Sequence, residues 1–528
     1  MISFCKINIV SLALGLFLFS PNVFGQRVYQ VPQFAKDWEK PGLHPDRIVI
    51  NFSQDPSSAV NVTWRTSKDV QEGYAEIAVA TPAPKFWRNA TTKKAKTTVM
   101  DAAGIMDAQV ISHYHTVRFD SLMPDTLYAY RVGDGEIWSE WIQFRTAAKE
   151  SKPFSFLYVG DAQNYILELW SRLIREGYRK APNASFIIHA GDLVSEAHHE
   201  RQWHEWFTAG GWIHRMLPSI ATPGNHEYRA LNEEEKHLRK LSVQWKPQFE
   251  FPLNGPAGME ELEETVYYID YQGTRIISLN SNRFQEEQVA WLENVLANNP
   301  NKWTVVTYHH PMYSASDGRD NEELRGLWKP VFDKYKVDLA LQGHDHSYAR
   351  GRVEPSENVL SGVNTRDRTG TVYVVSVSGG KMYKLRPGAW EGWEAERDRA
   401  AENTQLFQVI HVNGDTLAYQ AYTATGELYD AFEIVKAGDG QPNVFIEKKH
   451  QAIPKRRHDN TISYQDPLPD DIKSNLEQKY PGYEFNRTSY IVNDDFKGYR
   501  VQLEKGPVEV NLKIDVSGKI LEEVIEKE

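Results

Sequence analysis

One cysteine stands in the whole chain, Cys5, and it precedes the first apolar run. A mature protein cut after that run has no thiol, no disulfide and no thiolate metal site. A lipoprotein cysteine would follow the apolar core, so that anchor is excluded as well. Long apolar runs are equally scarce. The N-terminus "MISFCKINIVSLALGLFLFSPNVFGQ" holds one, Ile9–Phe19, with Lys6 before it and Gly25 after it. It is too short to span a bilayer and has the layout of a secretory signal, residues 1–25, cleaved after Gly25. The expectation is a secreted or periplasmic protein with no stable membrane anchor. Positive charge is also short: 60 Lys and Arg against 71 Asp and Glu leave a net charge of −11. Nucleic-acid binders present basic surfaces, so no nucleic-acid partner is expected. The basic run "PKRRHD" (454–459) reads as solvated linker.

What is present is ample material for a core, with 41% hydrophobic and 12% aromatic residues in 528. Residues 27–148 alternate as strands do. "AVNVTW" puts Val60, Val62 and Trp64 on one face, and "LYAYRVG" groups Tyr128, Tyr130 and Val132. Short strands with Pro and Gly turns predict an all-β sandwich. The stretch "HTVRFDSLMPDTLYAYRVGDG" with the later "FRT" resembles a fibronectin type III module. His113 and His115 share a strand face without a carboxylate beside them, which points to packing. Residues 152–436 change texture: apolar strands alternate with helical stretches such as "YILELWSRLIREGYRK" and "EEQVAWLENVLANN", an α/β pattern. A polar linker, 437–460, leads to residues 461–528. There Ile472, Leu476 and Tyr480 share a helix face ended by Pro481-Gly482, and two alternating runs come after it. This small α+β tail resembles the PepSY-like domains of secreted bacterial proteins, carries no catalytic cluster, and leaves its protein partner open.

The chemistry lies where strands of the middle domain end. "FSFLYVGD" stops at Asp161, "SFIIHAGD" at Asp192, and "SIATPGNHE" presents Asn225 and His226. "WTVVTYHHP" presents His309, and "DLALQGHDH" presents His344 and His346. Asp161, Asp192 and Asn225 are spaced by about 30–35 residues, as are His309 and His344, the length of one strand–helix unit returning to the same edge. Ligands of open α/β sheets bind at the carboxyl ends of strands. Carboxylates and imidazoles suit Zn, Fe and Mn, and a bridging Asp can hold two cations. The glycine before Asp161, Asp192, Asn225 and His344 is expected to let the backbone turn sharply out of each strand.

This set resembles the calcineurin-like metallophosphoesterases and, with the sandwich in front, the purple acid phosphatases. The resemblance implies a mixed β-sandwich flanked by helices. It implies that Asp161 and His346 bind one metal ion, that Asn225, His309 and His344 bind the other, and that Asp192 bridges them. His226 would be the proton donor beside the phosphate, and His310 the outward neighbour of a ligand. The two ions would be Fe, Zn or Mn, and the substrate a small phosphate ester. The two-domain resemblance implies hydrolysis of phosphomonoesters, by in-line attack of a metal-bound hydroxide on phosphorus. The alternatives are a metal-dependent phosphodiesterase and a non-catalytic secreted binding protein on the same scaffold. Three departures from the family stand out. Ser195 occupies the place of its metal-binding tyrosine. Gln163 replaces the glycine of Asp-x-Gly, and either offers an amide oxygen to a metal or lines the pocket. The stretch "MYSASDGRDNEE" lacks the histidine that comes after the family's His-x-Pro. The loops Arg229–Pro256 and Gly379–Arg399, the second with "GGKMYKLRPGAWEGW", are candidates for the pocket rim.

Overall fold

The computed structural model describes residues 38–528 except 233, 236, 317, 355–366, 394, 439–440, 449–467, 493–495, 506–507 and 528. The expected signal segment 1–25, Cys5 and the basic run at 454–459 lie outside the described residues. No described helix is long and apolar enough to cross a membrane.

Residues 46–145 form a sandwich of two antiparallel four-stranded arrays. One contains Asp46–Phe52, Val60–Ser67, Lys96–Asp101 and Ile111–Phe119, the other Tyr74–Val79, Thr91–Lys94, Leu127–Gly133 and Ile142–Arg145. The alternation read from the sequence builds their shared core: Val60, Val62 and Trp64 meet Tyr128, Tyr130 and Val132.

The next domain is also a two-sheet sandwich, with helices outside. The strands Phe154–Val159, Ile187–His189 and Ser219–Ala221 run parallel in one sheet. Thr274–Ser278, Trp303–Tyr308, Leu339–Gln342 and Val372–Val375 run parallel in the other. Strand alternation divides the second sheet's side chains. Val305, Leu339, Leu341, Val372 and Val374 face the core between the sheets. Val306, Ala340 and Tyr373 turn to the outer layer, with Leu324, Trp328 and Phe332 of the helix Glu322–Tyr335. All these strands are buried on both faces, which explains their continuous apolar runs.

The two sandwiches are not beads on a string. Asp46–Phe52 of the first pairs in parallel with Ser219–Ala221 of the second, Asn51 opposite Ser219, so one sheet of twelve strands runs through both. Beside this seam Arg65 clamps Asp46 with Nε–Oδ1 2.8 Å and Nη2–Oδ2 2.6 Å. Arg47 and Arg65 both pair with the buried Glu200 of the second sandwich. Buried charges are tolerated when paired in this way.

One expected boundary moves. Asn443–Glu447, inside the segment read as linker, is a strand that pairs antiparallel with Leu428–Val435. Arg350 reaches Glu447 at 2.7 Å and Asn443 reaches Asp338 at 2.6 Å. The strand is only five residues long and lies between the polar stretches that read as linker, yet it is paired on both sides, with Leu428–Val435 and with Arg368–Thr369, and buries Phe445.

The tail forms a separate compact unit. A helix, Asp470–Lys479, and four strands, Glu484–Val492, Lys497–Lys505, Val508–Asp515 and Ile520–Lys527, make an antiparallel meander. Ile472, Leu476 and Tyr480 pack on Tyr499, Val501, Leu503, Val510 and Leu512.

Candidate metal centre

All six expected ligands meet where the two sheets end. Asp161, Asp192 and Asn225 leave three parallel strands of one sheet. His309, His344 and His346 leave two strands of the other. The ligand atoms of Asp161, Asp192 and His346 lie within 4.8 Å of one another, and so do those of Asp192, His309 and His344. Asp192 belongs to both groups.

The turns that present these side chains differ from the sequence expectation. Among the glycines before Asp161, Asp192, Asn225 and His344, only Gly191 has a left-handed backbone, φ 87°. Instead the ligands themselves do, with φ 53° at Asp161, 52° at Asp192 and 73° at His344. Such a conformation is strained in a residue with a Cβ and persists where the surroundings fix it. The glycines are needed for space. A Cβ at Gly224 would lie 2.0 Å from Asp192 Oδ1, and one at Gly343 would lie 2.6 Å from Asp161 Oδ2.

Hydrogen bonds set the candidate ligands. The His344 N–H donates to Asp161 Oδ1 at 2.7 Å, and the His226 N–H donates to Asp192 Oδ1 at 2.9 Å. His309 Nδ1 donates to the Ala190 carbonyl at 2.8 Å, turning Nε2 towards Asp192 Oδ2, 3.1 Å away. Asn225 Oδ1 lies 3.0 Å from His309 Nε2 and 2.9 Å from His344 Nδ1. Burial would lower the pKa of His309, but the Asp192 carboxylate outweighs it and raises it to about 9. Burial likewise pushes Asp192 up, and His309 and His226 more than reverse that. A cation in this cluster would take over the charge balance that the His309 proton provides. The donor set, two carboxylates, three imidazoles and an amide with no thiolate, suits Zn, Fe or Mn. Asp161 Oδ2, in a residue with no exposed surface, has no hydrogen-bond partner. An acceptor of that kind fits a cation.

Asp161 and His346 are fully buried, whereas Asn225 and His226 keep 7% and 8% of their surface exposed. Access is therefore from the Asn225–His226 side. His226 Nδ1 bonds the Ser195 carbonyl at 2.7 Å, which orients the ring. The Ser195 hydroxyl is committed to Asn164, accepting its N–H at 3.1 Å. His310 belongs to neither group. It bonds Ser281 Oγ at 2.8 Å and lies against the His344 ring.

Three residues escaped the sequence reading. Glu227, fully buried, accepts the backbone N–H groups of Asp192, Leu193 and Gly224 at 2.7–2.8 Å, joining the turn of Asp192 to that of Asn225. Burial, and then the charge of Asp192, push its carboxyl up to about 7. Its place directly after Asn225-His226 was the only signal. Asp345, between the two histidines, accepts Ser314 Oγ at 2.6 Å and the Ala315 N–H at 3.0 Å. Arg319, from the stretch lacking the family's histidine, donates to Asp345 Oδ1 at 3.2 Å and to the His344 carbonyl at 2.8 Å. Both candidate rim loops reach the centre. The Gly379 N–H donates to the Asp161 carbonyl at 2.7 Å, and the Tyr383 N–H to the His346 carbonyl at 2.8 Å. Arg239 donates to the Asn225 carbonyl at 2.7 Å.

Comparison with known proteins matches the two sandwiches separately. Residues 154–348 match the family described as calcineurin-like phosphoesterase, and residues 45–146 match the N-terminal domain of purple acid phosphatases. Mouse acid phosphatase type 7 is 26% identical over 401 residues, covering 70% of this chain and 83% of its own. The Fe(3+)-Zn(2+) purple acid phosphatase 12 of Arabidopsis thaliana is 26% identical over 296 residues, 52% of this chain and 60% of that protein. The purple acid phosphatase PPD1 of yellow lupin seeds shares the fold, with a TM-score of 0.61 and 20% identity over 74% of each chain.

Proposed function

We propose that this chain, a purple acid phosphatase-like metallophosphoesterase and so a phosphoric ester hydrolase, removes phosphate from small phosphomonoesters outside the cytoplasm. Two metal ions would be held by Asp161, Asp192, Asn225, His309, His344 and His346. The observation that carries this reading is the pair of three-residue groups sharing Asp192. The names of two relatives, an acid phosphatase and an iron–zinc purple acid phosphatase, point the same way. Cations bound there supply an activated water and offset phosphoryl charge.

The remaining work falls to the chain. With Nδ1 tied to the Ser195 carbonyl, a protonated His226 would use Nε2–H to pass a proton to the leaving alcohol oxygen. Glu227 keeps His226 in register with Asp192, because both turns hang on its carboxylate.

The test is metal content together with a comparison of p-nitrophenyl phosphate and bis-p-nitrophenyl phosphate. Two ions per chain and faster turnover of the monoester are expected. Faster turnover of the diester would favour a phosphodiesterase, and inert protein with both ions bound would favour a binding role.

A further inference from the structure

We infer that Gln163 supplies a side-chain oxygen ligand to the ion held by Asp161, Asp192 and His346, an inference that rests on the two-ion reading above. The place of the family's tyrosine is taken by Ser195, whose hydroxyl is engaged with Asn164. That ion is left with three side chains from the expected set.

Gln163, at a different place in the chain, stands beside the same three residues. It lies two residues beyond Asp161, it is fully buried, and its N–H donates to the Asp192 carbonyl at 3.1 Å, which fixes its backbone to the bridging residue. Its Nε2 is 3.0 Å from Asp192 Oδ2 and 2.9 Å from His346 Nε2, two ligand atoms of one group. Its Oε1 has no hydrogen-bond partner. Leaving a buried acceptor unpartnered is costly, so this arrangement leaves an oxygen in want of positive charge. Asp161 Oδ2, in the same group, has the same want. The amide nitrogen and oxygen are nearly isosteric, and a half-turn of the terminal amide exchanges them. Two N–H donors facing a carboxylate oxygen and an imidazole nitrogen do what a cation does for the same two atoms. With a cation between them the preference reverses: the oxygen turns inward as a ligand and the NH2 turns away. Amide carbonyl oxygens are ordinary ligands of hard cations.

The rival is that Gln163 only lines the pocket, or that its NH2 group permanently replaces the ion. The experiment is calorimetric titration of the full chain with Mn2+ alone, for wild type, Gln163→Ala and the similarly shaped Gln163→Leu, with thermal melts of each apo protein. Two ions in wild type, with one weakened about 10–100-fold in both variants and the other unchanged, are expected. Two ions of unaltered affinity in a folded variant overturn the ligand role and leave the two-ion reading intact. A single ion in wild type overturns both. Should Gln163→Ala unfold, Gln163→Leu carries the decision. In Co2+-loaded protein, loss of an oxygen ligand changes the visible absorption of one ion, whereas a pocket-lining residue leaves the spectrum alone.

Discussion

Two His-x-His triplets occur in this chain, "HYH" at 113–115 and "HDH" at 344–346, and the fold gives them opposite fates. The first sits within the strand Ile111–Phe119, where residues two apart share a face. Its nitrogens find ordinary partners. His113 Nδ1 bonds the Val70 carbonyl at 2.9 Å, and His115 bonds the hydroxyls of Thr66 and Thr97 at 2.8 and 3.0 Å. His115 also stacks on Trp64, with ring centroids 5.3 Å apart. The second triplet begins two residues beyond the strand Leu339–Gln342, with His344 in a left-handed turn. Asp345 is pinned outward by Ser314, Ala315 and Arg319, so the histidines on either side face the carboxylates of the other sheet. Burial of histidine is therefore no sign of a metal site. What sets the second triplet apart is its position at a strand end, beside two carboxylates.

The largest effect should come from the residue common to both ligand groups. Asp192→Asn is expected to lower turnover of p-nitrophenyl phosphate by at least about 10²–10³-fold and to weaken both ions. Near-normal turnover with full metal content would remove the shared residue from the centre and erase the contrast between the triplets.

A paired substitution sharpens the contrast directly. His346→Ala should lose bound metal and activity, with a loss of apo stability no larger than that of His115→Ala. His115→Ala should keep metal stoichiometry and lose about 2–4 kcal/mol of stability, the scale of emptying a core site. Plasma emission for metal and thermal melts for stability would read both, and a swap of these outcomes would refute the assignment.

A smaller effect is the acid response of the first triplet. Burial, and then the neighbouring His113, lower the pKa of His115 from 6.5 to about 4. The folded chain then binds fewer protons than the unfolded one between those values, so the stabilisation is present above about pH 6.5 and fades as pH falls towards about 4. The gap in melting temperature between wild type and His115→Gln should shrink over that range. A gap independent of pH would mean that His115 is not held neutral.

The smallest effect is one of colour. Without a phenol at position 195, iron-loaded protein should be colourless or pale. An intense visible band of the tyrosinate-to-iron kind would direct attention to Tyr165, in the turn just beyond Asp161.

The strand exits, and with them the candidate ligands, were legible in the sequence because a doubly buried strand leaves an unbroken apolar run, and the residues just past its end stand at a sheet edge. The sandwich was legible through alternation in "AVNVTW" and "LYAYRVG". The strand Asn443–Glu447 was not, since five residues between polar stretches are too few to show a period, and its partners Leu428–Val435 and Arg368–Thr369 are set by the fold. Glu227, Asp345 and Arg319 were not either, because each acts through a hydrogen bond to a turn it does not precede in any readable pattern.

By itself the sequence determined which side chains end strands, because burial on two faces imposes apolar composition residue by residue. Only the tertiary structure decided which of them meet. Facing Asp161 and Asp192 with His309 and His346 requires two sheets to pack face to face with their strand ends level, a relation between segments more than a hundred residues apart that no local pattern encodes. It also placed the left-handed turns on the ligands and left the glycines to provide room. Close packing at the centre fixes both, and a chain reports its packing only once it is folded.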